Sequence, residues 1–563
     1  MIFIEKFFTL FNTSPKSPPH MRWGLGGGGI TIIISLIINS MLISQTVSLP
    51  YDWSGQYGSM SLNGSRFWNR DWTSGPLMFD GTFTHYPVRF GTHVNSQFQP
   101  SMIDKINVSS TPLEDTTQTT TTLDYVRGDY NFDQLGIDLD YKTPKRSSGI
   151  HLFKRSYAGR EGQFFHPTGS SLPLQQSYVL DYLSENNGWI AEASAGRFVT
   201  ESGLPDSGVI NGSLDDEILA AGLIVRSPDK GLQWTSHLAL FHQWRKADVS
   251  WYSNRQKQFL NRTRFQQQVS GFSVGKIYPT IGLDLNLQSI SKNDSSFVER
   301  SWSTLYSSAN LLGFLPSSVG LTLLEGSVYQ FFKITNSVQF GFLNIDSGIE
   351  HKVLPTHALL ANNENDHTEN SHTFFVLGFE RNSGKISLID QRTTLTFNEN
   401  IYSSSQTGLT YALSLYDKLE FKGHYLLRSG HSLLFDGIGT SILFDASYSG
   451  QFNRFDMSLH FSANGMLGRS NDFQFHPIDG YPFEYYLYLD EPDDIWLLNA
   501  SAEVTISSMT IIWSIKNILH AIEPTSLQLF PEKEEGDFLI QHYTQFPPMG
   551  RIVAIGILWT FDS

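Results

Sequence analysis

The chain of 563 residues contains no cysteine. That absence excludes a disulfide scaffold, a thiolate zinc site, an iron–sulfur cluster and a cysteine nucleophile. It fits a bacterial envelope protein, where a stray thiol would be oxidised. Charge is scarce as well. Charged residues make up 17% of the chain, against roughly 25% in ordinary soluble domains. Hydrophobic residues are only 40%. A disordered chain needs high charge, so low charge argues against disorder. A helical membrane protein needs several apolar runs of about 20 residues, and only one such run exists, near the N-terminus. The formal net charge is −15 and no basic cluster is present, so no nucleic-acid partner is expected. No glycine-rich phosphate loop joins a strand to a helix, and no serine sits in a nucleophile turn. Neither an enzymatic activity nor a cofactor is expected.

The single apolar run places the chain in an export route. Arg22 precedes an apolar core from Ile30 to Ile43, and the small residues Thr46 and Ser48 follow two apart. This is the layout of a secretory signal peptide, so residues 1–48 are read as the signal region. Pro15, Pro18 and Pro19 do not fit that layout, and translation is expected to start at Met21. The alternative is a retained signal anchor. Asn39 and Ser40 interrupt the apolar core and favour export over retention.

What is abundant from about residue 120 onward is period two. Leu135, Ile137, Leu139 and Tyr141 alternate with Gly136, Asp138, Asp140 and Lys142. Ile281, Leu283, Leu285 and Leu287 alternate with Gly282, Asp284, Asn286 and Gln288. Successive side chains of a strand point to opposite faces, so each segment has one apolar and one polar face. Asp417-Lys418 reads as a tight turn between a strand carrying Leu409, Tyr411, Leu413 and Leu415 and one carrying Leu419, Phe421, Tyr425 and Leu427. Arg245-Lys246 reads as a second such turn. Longer polar stretches are expected as loops at Glu201–Glu217, Asn362–His372, Arg469–Asp479 and Glu532–Gln545. Short turns at one end and long loops at the other are the pattern of a transmembrane β-barrel. Trp189, Trp244, Trp251, Tyr416 and Trp559 fall at the ends of expected strands, where an interfacial girdle belongs.

The expected fold is therefore all-β. It is a large antiparallel transmembrane barrel over 119–563, with about 18–22 strands if each strand and its connection take roughly 20 residues. Leu409, Leu413, Leu419 and Phe421 are expected to face lipid. Asp138, Asp140, Glu420, Lys422, Asp456 and His460 are expected to face the lumen. The last strand alternates most cleanly, with Val553, Ile555, Ile557, Trp559 and Phe561 on one face. A final strand ending in an aromatic resembles the signal by which the barrel assembly machinery recognises outer-membrane barrels, although Asp562 and Ser563 follow Phe561 here.

Two further pieces carry a family resemblance. Pro547-Pro548-Met549-Gly550-Arg551 leads into the final strand. Upstream, Leu77-Met78-Phe79-Asp80-Gly81 is followed by Pro100-Ser101-Met102-Ile103-Asp104-Lys105-Ile106-Asn107-Val108. Together they resemble the closing turn and the second half of the plug domain of TonB-dependent receptors, in that family's order. The resemblance implies that Asp80, Gly81, Pro100, Ile103, Asp104, Lys105, Ile106 and Val108 belong to a plug-like element, and that residues 49–118 form a reduced plug and linker. The threonine-rich run Thr116–Thr122 is read as the linker. No TonB box is evident, so coupling to TonB is left open.

Asp366, His367, Glu369 and His372 offer mixed oxygen and nitrogen donors of the kind a divalent metal takes. Their spacing matches no catalytic set, and a polar external loop is the preferred reading. Asp490, Glu491, Asp493 and Asp494 lack the glycine and regular spacing of a calcium loop, and are read as solvated charge. The expected function is passage of a small solute, whose identity the sequence does not specify, across the outer membrane of a Gram-negative-type bacterium. The alternative is a structural or adhesive barrel, closed inside, that binds a partner through its long loops. Outer-membrane lipid and the assembly machinery are the remaining expected partners.

Overall fold

The computed structural model describes residues 115–156, 174–204, 212–249, 256–293, 296–311, 315–355, 367–381, 383–397, 400–416, 418–430, 438–452, 455–469, 494–516, 518–521 and 552–562. It also describes the pairs 78–79, 82–83, 474–475 and 482–483. Two short strands come first, β1 (Met78–Phe79) and β2 (Thr82–Phe83), paired antiparallel. The chain then runs through β3 (Gln118–Gly128), β4 (Asp133–Lys142), β5 (Arg146–Ser156), β6 (Leu174–Asn186), β7 (Trp189–Leu204), β8 (Gly212–Arg226) and β9 (Gln233–Val249). It continues through β10 (Gln256–Ser270), β11 (Thr280–Asn293), β12 (Ser296–Leu311), β13 (Leu315–Leu324), β14 (Ser327–Phe340) and β15 (Leu343–Pro355). Next come β16 (His367–Arg381), β17 (Gly384–Phe397), β18 (Asn400–Leu415), β19 (Leu419–Gly430), β20 (Ile438–Phe452) and β21 (Phe455–Arg469). A small hairpin, β22 (Gln474–Phe475) and β23 (Pro482–Phe483), precedes β24 (Ile495–Ile506), β25 (Met509–Lys516) and β26 (Ile552–Asp562).

Strands β3–β21 and β24–β26 form one closed antiparallel barrel of 22 strands. Every strand pairs with its neighbours in sequence, skipping only the β22–β23 hairpin, and β26 pairs with β3 to close the ring. Closure leaves no unpaired edge, which a lipid environment demands because nothing there can satisfy a bare N–H or C=O. The strand count is even and lies at the upper end of the expected range. Because each strand reverses direction, connections alternate between two ends. One end holds 143–145, 187–188, 227–232, 341–342, 416–418 and 507–508. The other holds 157–173, 356–366, 470–494 and 517–551.

Local chemistry accounts for the tight end. Asn187 and Gly188 have φ of 52° and 80°, the pair of positive values that a two-residue type I′ hairpin requires and that matches strand twist. Between β18 and β19, Tyr416 has φ 56° and Lys418 N–H donates to the Leu415 carbonyl at 3.3 Å, while Asp417 lies outside the described residues.

Several strand limits differ from those read in the sequence. Arg245-Lys246 makes no turn, since β9 runs unbroken from Gln233 to Val249 and pairs along its length with β8 and β10. The polar stretch Glu201–Glu217 is mostly strand, with only 205–211 between β7 and β8. The threonine run is not all linker, because Thr119–Thr122 lie within β3, where β-branched side chains suit the pleat. Thr120 donates to Asp562 at 2.8 Å, holding the closing seam. In each case the ladder to a neighbouring strand outweighed local polarity.

Candidate functional site

Two faces follow from the pleat. One carries exposed apolar side chains all round the ring: Leu139, Leu180, Leu223, Leu285, Leu321, Leu388, Tyr425, Leu459 and Ile557 are examples. Val553, Ile555, Ile557, Trp559 and Phe561 are all exposed on this face of β26. Leu409, Leu413, Leu419 and Phe421 share the same face of β18 and β19, because Leu409 registers with Tyr425 and Leu413 with Phe421. The opposite face is polar and holds the clusters from which a site can be built.

The first cluster lies across β4, β5 and β6. His151 sits between two carboxylates, with Nδ1 at 2.7 Å from Asp138 and Nε2 at 2.8 Å from Asp181. Asp140 lies 3.9 Å from Nε2. His151 and Asp181 are both buried. Register explains the gathering: Asp138 is level with His151, and Asp181 follows on the next strand.

The second cluster spans β10–β12. Arg264 Nε lies 3.0 Å from each carboxylate oxygen of Asp284, and both residues are almost fully buried. Arg264 Nη2 reaches one of the same oxygens, and Nε and Nη2 together make the strong, bidentate form of a charge-assisted bond. Asn286 donates to the same carboxylate at 3.0 Å. Gln266 and Gln268 donate to the Tyr306 hydroxyl at 3.1 and 2.8 Å. Tyr306 lies flat across Gly282, where an added Cβ would fall 2.1 Å from its ring. The glycine is what lets the phenol reach β10.

A third cluster sets Glu350 between Lys352 at 2.8 Å and Lys333 at 3.5 Å, with His372 level with it on β16. Further round, Gln391 donates to Gln406 at 2.7 Å. Lys422 pairs with Glu420 at 3.0 Å, and His460 meets Asp445 at 2.8 Å. Asp138 and Asp140 thus lie in one cluster, Glu420 and Lys422 in another and His460 in a third, and Asp456 shares the polar face with them. The polar face is thus a set of side-chain donors and acceptors held by one another.

The candidate metal set is not brought together. His367, Glu369 and His372 lie in strand β16 rather than in a loop. Alternation sends His367 and Glu369 to one face and His372 to the other, and Asp366 lies outside the described residues. Among the described residues no group of three or more His, Asp or Glu could hold a metal ion. Asp80, Gly81, Pro100, Ile103, Asp104, Lys105, Ile106 and Val108 also lie outside the described residues, as do residues 1–48. Met78–Phe79 and Thr82–Phe83 flank Asp80 and Gly81 as a strand pair.

The Arg264–Asp284–Tyr306 cluster was not singled out from the sequence. Its signal was present, as alternate polar positions Arg264, Gln266 and Gln268 and again Asp284, Asn286 and Gln288. What the sequence could not supply was which polar rows meet.

A scan of family models and a search of curated proteins by sequence each find no match. Solved structures do match. The FrpB iron transporter from Neisseria meningitidis (F5-1 variant) aligns with a TM-score of 0.59 at 10% identity, over 80% of this chain and 83% of that one. The siderophore receptor PirA from Acinetobacter baumannii aligns at 0.58 and 8% identity, over 81% and 82%. FpvA of P. aeruginosa bound to pyoverdines aligns at 0.56 and 9%, over 79% and 72%. The chain has the barrel fold of the TonB-dependent receptors. At this identity the likeness is one of fold. Barrels of this fold sit in the outer membrane, and the apolar belt of this one matches that setting.

Proposed function

We propose that the protein passes a small polar solute across the outer membrane through its lumen. The observation that carries this reading is the closed ring of 22 strands with fixed charged and polar clusters on one face. In this reading the polar face lines the lumen and the apolar face meets lipid. A polar lumen lowers the cost of moving a solute through the bilayer, and its side chains select what passes. Residues 49–118 act as a reduced plug, and the final strand is the piece read by the assembly machinery. With so reduced a plug, the lumen is read as leaking small solutes without energy input. The similar structures are named as an iron transporter and a siderophore receptor, so a ferric chelate is the first solute to test.

The test is conductance of the purified full chain in a planar bilayer, compared with a chain lacking residues 75–110. The expected result is small steps for the full chain and a larger single-channel conductance for the deletion. A barrel that assembles but conducts in neither form would overturn the reading in favour of a closed structural or adhesive barrel. Loss of assembly on deletion would overturn the plug assignment.

A further inference from the structure

The apolar face is not uniform. Between β5 and β10 it opens into a groove of about 700 Å³. Its floor is Ala195 and Ala221, walled by Leu180, Leu219 and Leu240. Small residues on β7 and β8 leave out the bulk that leucine supplies on either side. One end of the groove is polar, formed by Arg197, His242 and Asn261. Arg197 Nε lies 2.5 Å from Glu217, and His242 Nδ1 is bonded to the Asn261 side-chain oxygen. Nε2 of His242 is shut off from solvent without a hydrogen-bond partner among the described residues. Closed off by protein, that atom is not open to a ligand, and the Asn261 side-chain amide stands beside it at the polar end. Lys154 lies on the same face of β5, one row above Leu152, and is exposed.

The height of the polar end can be worked from the strands. Trp189 and Trp234 meet edge to face, 6.1 Å apart, at the tight-turn end of the same face. Arg197 and His242 each lie eight positions further along, on β7 and β9. At about 3.3 Å per residue that is roughly 26 Å of strand. A tilt of roughly 40° leaves about 20 Å of height, near the top of an apolar band about 25 Å tall. The polar end therefore lies at the headgroup level beneath the long loops, and the apolar floor runs from there toward the bilayer centre. That is the polarity of a lipid molecule seated in the outer leaflet.

We propose that this groove is a binding site for an outer-leaflet lipid whose headgroup carries phosphate and hydroxyl groups. An acyl chain lies over Ala195 and Ala221. Arg197 and Lys154 supply charge to the phosphate. The Asn261 side-chain NH2 donates to a headgroup oxygen, since its carbonyl oxygen already accepts from His242 Nδ1. Glu217 keeps the Arg197 guanidinium in place, and donors outnumber the single carboxylate. A second copy in the same membrane would bring its own Arg197 and Lys154 to the same height, cation against cation, and is disfavoured as occupant. The proposal rests on the reading that the apolar face meets lipid.

The test is native mass spectrometry of the full chain, purified in detergent, stripped of lipid and given a phosphorylated diglucosamine glycolipid or its dephosphorylated form. The expected result is retention of the phosphorylated form, lost in Ala221→Phe, which fills the floor. Arg197→Gln should weaken the phosphorylated form by roughly tenfold, the loss of one charge-assisted hydrogen bond, and leave the other form unchanged. Equal binding of both forms, or unchanged retention by Ala221→Phe, would overturn the site. So would a dimer of the parent that Ala221→Phe dissolves. Conductance separates this failure from failure of the transport reading. If the face were luminal, Ala221→Phe would change conductance and not lipid retention.

Discussion

Consider removing the carboxylate of Asp284. In the folded barrel the Arg264 guanidinium is 1% exposed and Asp284 0% exposed. The pair is held by Nε at 3.0 Å from both oxygens, and Asn286 leans on the same carboxylate. Asp284→Ala removes the carboxylate that accepts these bonds from a buried guanidinium. Breaking a buried pair on one side costs about 3–5 kcal/mol, whereas replacing both partners by packed apolar residues is often close to neutral. The variants to compare are Asp284→Ala, Arg264→Met, and the double change Arg264→Met with Asp284→Leu. Each is folded in detergent and titrated with urea, following the heat-sensitive electrophoretic mobility of the closed barrel. The single changes should lower the unfolding midpoint well below the parent, and the double should recover most of the loss. A double variant as unstable as the sum of the singles would refute the reasoning, because the two side chains would then be acting independently.

Further predictions follow from the belt and the glycine. Ile557→Arg, level with Tyr125 and Ile511 on the apolar face, should destabilise the folded barrel by about 2–4 kcal/mol, the price of arginine near the midplane. Ile555→Arg should be milder in the same urea titration, because Ile555 is already level with Arg127; equal effects at both positions would contradict the placement of the belt. Gly282→Val should push Tyr306 off β11 and break its bonds to Gln266 and Gln268, read as a change in tyrosine fluorescence and a lower unfolding midpoint; a Tyr306→Ala background should absorb most of that loss.

The sequence by itself determined the pleat. Alternation at Leu135–Lys142, Leu409–Leu415 and Val553–Phe561 is local, set by bonds between adjacent residues, so the strands, their two faces and the short connection from Leu415 to Leu419 were legible without coordinates. The absence of other long apolar runs left strands as the way to cross a bilayer, and the span from about residue 119 fixed a large ring. Tertiary structure decided everything that depends on partners. Closure joins β26 to β3 across more than four hundred residues of chain, with Asp562 on Thr120. The limits of β7, β9 and β16 were set by ladders to their neighbours, which turned polar stretches such as Arg245-Lys246 and His367–His372 into strand. The meeting of His151 with Asp138 and Asp181, of Arg264 with Asp284, and of Arg197 with His242 depends on register, in which one residue of slip sends every side chain to the opposite face. Register is a property of pairs of strands, and a single strand's sequence carries no record of its partner's alignment.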